Sequence, residues 1–219
     1  MNVIFLGPQG AGKGTQASEL QRLTGLAHVA SGDVLRAAIR DETELGMQAK
    51  KYYDAGELVP DEITVGMLLE AIHKVGADRD VLLDGFPRTV AQAQALDEAL
   101  GRLGERIDLV VELELPIEVA KERLSGRLLC RAHGHVYNER TQPPKTRGVC
   151  DIDGSELYQR ADDYPEAIEK RLRIWERENG QLVEYYDSRG LLCRVNADRA
   201  PGEITADLVA LLQGGSVVA

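Results

Sequence analysis

Residues 7–15 read GPQGAGKGT and follow the apolar run Val3–Leu6. A buried strand that breaks into a glycine-rich turn and then a helix is the setting in which backbone N–H groups converge on a phosphate. Gly10, Ala11, Gly12 and Gly14 form the turn, and its glycines let the chain bring those groups inward. The positive end of the following helix adds to the field. Lys13 would supply a mobile charge for the outer phosphates, and Thr15 a hydroxyl near a metal ion. An ordinary glycine turn is the alternative, and strand, spacing and lysine together weigh against it. Gly14, rather than Ser or Thr, follows the lysine, which departs from the general pattern.

Asp84 ends the apolar run VLLD and is followed by GFPR. A carboxylate at the carboxyl end of a parallel strand, beside such a loop, sits where hydrated Mg²⁺ is held. The alternative is a cap for the helix that begins near Thr89. Gly85 would let a ligand approach the backbone, with Arg88 projecting from the same crevice. Arg123 and Arg127 lie four apart at the end of a helix starting near Pro116, so they are expected on one face. Arg160 and Arg171 flank a glycine-containing segment, and Arg36 joins Arg88 on the other approach. Each arginine alone reads as a solvated surface group. As a set they suit phosphoryl transfer, which needs charge neutralisation and alignment more than covalent chemistry. Gln92 sits one helical turn after Arg88, and its amide both donates and accepts, as reading an adenine edge requires.

A second constellation runs Cys130-Arg-Ala-His133, sixteen residues, then Cys150-Asp-Ile-Asp153. Two thiolates, one imidazole and one carboxylate can close a tetrahedron around Zn²⁺, with His135 in reserve if His133 points away. A metal-free hydrogen-bond network or a Cys130–Cys150 bridge would use the same residues. Cys193, inside LLCRV, reads as an inert core thiol. His28 and His73 have no partner pattern and read as structural or surface residues.

The elements that must position these groups follow from periodicity. Apolar runs recur at 3–6, 81–83, 107–113 and 191–195, with a weaker one at 27–30. Helical spacing fills the gaps, as in Ile168, Leu172, Trp175, Leu182 and Tyr186. Alternating strands and helices imply an α/β fold with a parallel sheet covered on both faces. The helix carrying Trp175 is expected to be capped by Asp162 and Asp163, with Pro165 in its first turn. Residues 31–60 read as a helical excursion, and 126–163, poorer in large apolar side chains, as a small turn-rich lid that cannot build a core of its own size. Residues 1–30, 61–125 and 164–219 then form the core domain. The tail after Gln213 reads as frayed.

Composition narrows the class. The formal charge is −10 over 219 residues, and the isoelectric point near 5.0 argues against nucleic acid as the main partner. The apolar N-terminal run is too short for a signal peptide, and no stretch approaches membrane-spanning length. Three cysteines without a secretory signal point to reduced thiols or metal ligands. A cytoplasmic protein with no membrane partner is expected.

With these residues in hand, the chain resembles adenylate kinases of the bacterial, long-lid type. GPQGAGKGTQA, SGDVLRAA, GELVPDE, LLDGFPRT, the Arg123/Arg127 pair, VYN, and QRADD followed by KRL occur in family order over nearly the whole chain. The resemblance implies a core of five parallel strands with two mobile inserts, and the reaction ATP + AMP ⇌ 2 ADP with Mg²⁺, carried out by a monomer. It implies ATP phosphates at Gly10–Thr15, reached by Arg123 and Arg127. Val136, Tyr137 and Arg199 would hold the adenine and ribose of ATP. AMP would sit against Ser31, Arg36, the backbone of Glu57, Leu58 and Val59, then Gly85, Phe86, Pro87, Arg88 and Gln92. Arg160 and Arg171 would bridge the donor and acceptor phosphates, and Asp162 and Asp163 would belong to the closing hinge. Gln9 stands where the family usually has proline, Ser31 where threonine is commoner, and Asn196-Ala197-Asp198 in place of the usual Asp-Gly pair. The Cys-His-Cys-Asp set matches the positions of metal-binding lids but not their commonest four-cysteine version.

Two other classes share parts of this pattern. A kinase for another nucleoside monophosphate is the near alternative, and Gln92 with the long lid argues against uridylate and thymidylate acceptors. A nucleotide-dependent regulatory module of the GTPase kind would need a guanine-reading N-K-x-D, and the sequence has none.

Overall fold

A computed structural model describes residues 1–55, 59–76 and 79–214, except for the side chain of Ala161. The expected positions Glu57 and Leu58, and the tail beyond Gly214, lie outside the described residues. The chain runs β1 (Asn2–Leu6), α1 (Lys13–Thr24), β2 (Ala27–Ala30), α2 (Ser31–Arg40), α3 (Glu44–Ala55), α4 (Asp61–Val75), β3 (Val81–Asp84), α5 (Val90–Arg102), β4 (Leu109–Glu114) and α6 (Ile117–Ser125). It continues β5 (Arg127–Cys130), β6 (Val136–Asn138), β7 (Leu157–Tyr158), α7 (Pro165–Asp187), β8 (Leu192–Asn196) and α8 (Pro201–Leu212), with one 3₁₀ turn at Ala161–Asp163.

Five strands form the main sheet in the order β2-β3-β1-β4-β8, all parallel. All five residues of β1 are buried, as a central strand covered on both faces requires. Alternate side chains go to opposite faces. Val3 and Phe5 join Leu20, Leu113, Leu172 and Leu208 in one core, while Ile4 and Leu6 join Leu68, Leu83, Leu96 and Tyr186 in the other. The weaker apolar run at 27–30 is the edge strand β2, where less burial is needed. Cys193 also lies on an edge strand and is half-buried rather than a core thiol. Among the described residues, no helix is long and apolar enough to cross a membrane.

The second sheet, antiparallel in the order β6-β5-β7, lies within the 126–163 segment. The packing within this segment is a small cluster of Cys130, Tyr137, Cys150 and Leu157 with Leu128 against it. Two of its four buried members are the thiols, so the residues meant for chemistry also supply the packing.

Candidate active site

The glycine-rich turn joins the central strand β1 to α1, at the carboxyl end of the sheet. Gly10 has φ +90°, and a Cβ there would come within 2.9 Å of the Ala120 carbonyl oxygen, so glycine is needed for both torsion and space. Gly12, at φ +89°, precedes the first helical residue, Lys13. Gly14 lies inside α1 and has no such torsional need; its missing side chain instead leaves room towards Asp84 Oδ2, 3.7 Å from where a Cβ would stand.

The half-buried Lys13 donates from Nζ to the carbonyls of Gly7 at 2.6 Å and Pro8 at 3.0 Å. Burial brings its pKa down to about 8; Arg88, Arg171 and Arg127 push it the same way, and Asp84 opposes them. Withdrawal from bulk water also lowers the pKa of Arg88, helped by Arg171 and opposed by Asp84. Arg171 is likewise depressed, by burial first, with Arg127 adding and Asp162 and Asp163 resisting. Four cations thus crowd one cleft at the carboxyl end of the sheet, beside Asp84. Positive charge concentrated in this way is the arrangement that a polyanionic ligand would relieve.

Asp84 does not cap α5. Thr89 does, accepting from the Gln92 N–H at 3.2 Å. His28 comes from the neighbouring edge strand and sets Nε2 3.4 Å from Asp84 Oδ2, a pairing that no sequence spacing announces. Gly85 has φ +77°, and a Cβ there would stand 3.0 Å from Ser31 Oγ. Its carbonyl accepts from Ser31 Oγ at 3.0 Å and from Arg88 Nε at 2.9 Å. Phe86 and Pro87 are buried behind this turn. Gln92 Oε1 accepts from the Arg88 N–H at 2.8 Å, and its Nε2 donates to Asp61 Oδ1 at 2.7 Å. The amide is therefore oriented, with one donor and one acceptor position left over. Arg36 is exposed and paired with Asp33, and Val59 is half-buried just before α4.

Two expectations about the arginines and their neighbours fail. Arg123 and Arg127 do not share a helix face: α6 ends at Ser125, and Arg127 opens β5. Arg123 reaches the carbonyl of Ala197 at 3.1 Å and Asp198 at 3.4 Å. Arg127 forms a two-pronged pair with Asp163, Nε–Oδ2 2.8 Å and Nη2–Oδ1 2.5 Å. Asp162 and Asp163 do not cap α7, whose first turn follows Tyr164 without a side-chain cap. Both carboxylates are taken by arginine, since Arg171 Nη1 lies 2.9 Å from Asp162 Oδ2 and 3.3 Å from Asp163 Oδ1. Asp163 is 1% exposed, so a buried anion joins the lid strand β5 to α7. Arg160, half-buried, lies just before the 3₁₀ turn.

On the far side of β1, Arg199 is exposed and paired with Asp207. In the 126–163 segment, Val136 faces solvent while Tyr137 is buried, its hydroxyl accepting from the Asp151 N–H at 2.8 Å. The Tyr137 side chain therefore serves the lid core, and only its backbone is left for a ligand.

Cys130, His135, Cys150 and Asp153 bring ligand atoms within 4.8 Å of one another. His133, which the Cys-x₂-His spacing favours, is not in this group; its Nδ1 lies 2.7 Å from Asp153 Oδ2 and its ring is largely exposed. The reason is the β5–β6 turn: the Cys130 N–H donates to the His135 carbonyl at 2.8 Å, which sets the reserve histidine directly opposite the cysteine. Asp153 is held far below the usual carboxylate range, first by the Ser155 N–H, then by His133 and Cys130. Both thiols are free, so the bridge alternative is not formed.

The adenylate kinase family model matches residues 5–191. An adenylate kinase of Bacillus subtilis (strain 168) is 46% identical over 214 residues, covering 98% of this chain and 99% of the relative. One of Staphylococcus aureus (strain Mu50) is 44% identical over 212 residues, covering 97% of this chain and 99% of its own. One of Staphylococcus epidermidis is 45% identical with the same coverage. A family match over most of the chain, with relatives this similar along their whole length, makes the chain a member of the adenylate kinase family.

Proposed function

We propose that the protein moves the terminal phosphoryl group of ATP onto AMP, giving two ADP. The observation that carries this reading is the gathering of Lys13, Arg88, Arg127 and Arg171 beside Asp84, positive charge placed where phosphates can take it up. Sheet order divides the cleft. The glycine-rich loop follows the central β1, so one nucleotide lies towards β3 and β2 and the other towards β4 and β8. Ser31, Gly85, Arg88 and Gln92 lie on the β3 side and suit the acceptor; the β8 side, with Arg199, suits the donor base.

In this reading Gly10–Thr15 cradle the donor phosphates, and Arg36 and Arg88 bind the acceptor phosphate. Arg123, Arg127, Arg160 and Arg171 gather on the transferring group as 126–163 closes over the core. Closure excludes water, which would otherwise accept the phosphoryl group. The nucleotide's Mg²⁺ would be held near Asp84 and Thr15, with water completing its oxygen shell. When bound, the ion neutralises phosphate charge. Binding ATP, AMP and ADP as a monomer in the cytoplasm completes the reading, in keeping with three free thiols.

A coupled assay of ADP formation across monophosphates tests it. Gln92 keeps one donor and one acceptor free for an adenine edge, and other bases leave that oriented amide mismatched. AMP is expected to exceed GMP, UMP and CMP by at least about tenfold in kcat/KM. Equal turnover with UMP or CMP would assign the chain to a different acceptor.

The lid reading is that 126–163 holds one thiophilic divalent ion, with Zn²⁺ the best fit. Tetrahedral Zn²⁺ separates its donors by about 3.3–3.8 Å, so the four side chains need to contract little. The geometry favours His135 over His133 as the nitrogen donor. Protein prepared without chelator is expected to carry about one such ion per chain by elemental analysis. Cys130→Ser or Cys150→Ser is expected to lower the thermal midpoint while activity at low temperature survives. A metal-free protein with an equally stable Cys130→Ser variant would leave the hydrogen-bond network as the account of the lid.

A further inference from the structure

Gln16 follows the phosphate loop directly, and it is a polar residue only 2% exposed. Its Nε2 donates to the Pro201 carbonyl at 3.0 Å, and its Oε1 is the nearer of two acceptors for the Thr205 hydroxyl proton, at 2.7 Å against 2.9 Å for the Pro201 carbonyl. These bonds cross to the first turn of α8, just beyond the segment that leaves β8. The other end of that segment is fixed separately. Ala197 is fully buried; its N–H donates to the Glu114 carbonyl at 2.8 Å, and its carbonyl accepts from Arg123 at 3.1 Å. Residues 198–200 are exposed between the two anchors. This amide thus joins the end of the phosphate loop to the helix that follows the exposed stretch, beside the apolar packing of Ala17 and Leu20 with Ile204 and Leu208.

We infer that Gln16 is a positioning residue for donor selection, holding the 198–200 backbone where the base of the triphosphate is read. The inference rests on the proposed placement of the donor base beside β8. A triphosphate anchored at Gly10–Thr15 offers its base at a fixed reach, so backbone that recognises the base must not drift from the loop. A buried amide with both ends paired across two helices supplies that rigidity. The contact is made to the donor side only, so its loss should be felt by one nucleotide and not the other.

The test uses the full chain, with Gln16→Met to remove both bonds at similar volume and Thr205→Ser to keep the hydroxyl. Gln16→Met is expected to raise KM for ATP about three- to tenfold, with KM for AMP and kcat within about twofold, and to shrink the preference for ATP over GTP. Thr205→Ser should match the parent. Should Gln16→Met fail to fold, Thr205→Val removes the Oε1 bond and is read in the same way. An unchanged KM for ATP, or equal rises in both KM values alongside a lower thermal midpoint, would reduce Gln16 to a structural residue. The amide resonances of 198–200 in the parent separate the two levels. Shifts on adding ATP but not AMP, with kinetics unmoved in the variant, sink the role of Gln16 alone. No ATP-specific shift sinks the donor-base placement and this inference with it.

Discussion

Lys13→Met is expected to lower kcat by about 10²-fold or more, as loss of a charge-stabilising donor does elsewhere, without unfolding the protein. Among the described residues the ammonium bonds to the Gly7 and Pro8 carbonyls, and its pKa, lowered from 10.5 to about 8, means that folding disfavours its charge. The pH dependence carries opposite signs for activity and stability. Between about pH 8 and 10.5 the unfolded chain binds the Lys13 proton more tightly than the folded one. This group therefore makes stability rise with pH in that window. Activity should fall over the same window. The alkaline limb of kcat/KM reports the free enzyme, so it should bend near pH 8, and the limb of kcat should bend higher because bound phosphates restore the proton. Turnover near normal in Lys13→Met, with an unfolding midpoint close to the parent's, would remove the lysine from the chemistry.

Arg88→Ala is the second large effect, again about 10²-fold or more in kcat. The side chain bonds Gly85 through Nε, and that carbonyl keeps Ser31 Oγ as a partner when the arginine is gone. No buried acceptor is orphaned, so the thermal midpoint should hardly move. Repulsion from Arg171 is relieved as well. A variant that loses stability in step with activity would make Arg88 a structural residue.

Much of this architecture was legible because it obeys local rules. The buried runs at 3–6 and 81–83 are the strands β1 and β3, since a covered parallel sheet leaves no polar alternation to confuse the reading. The glycine-rich loop was legible because torsion and close approach admit few other residues. What failed was long-range pairing. Asp162 and Asp163 look like caps to any rule that reads a few residues, yet the partner of Asp163 is Arg127, 36 positions away. Arg123 and Arg127 have helical spacing, but the helix ends between them. His28 meets Asp84 only because β2 lies beside β3. The choice between His133 and His135 depended on the register of a hairpin turn, which ligand spacing does not encode.

The Asp163 carboxylate has a mechanical meaning. It is shared by the first residue of the lid sheet and a residue of the longest helix, at a point water scarcely reaches. If 126–163 closes as proposed, a joint of this kind would confine its path to an arc. In the proposed closing motion, most orientations that would waste a collision are then absent before any nucleotide arrives, and the entropy lost on closure is correspondingly small.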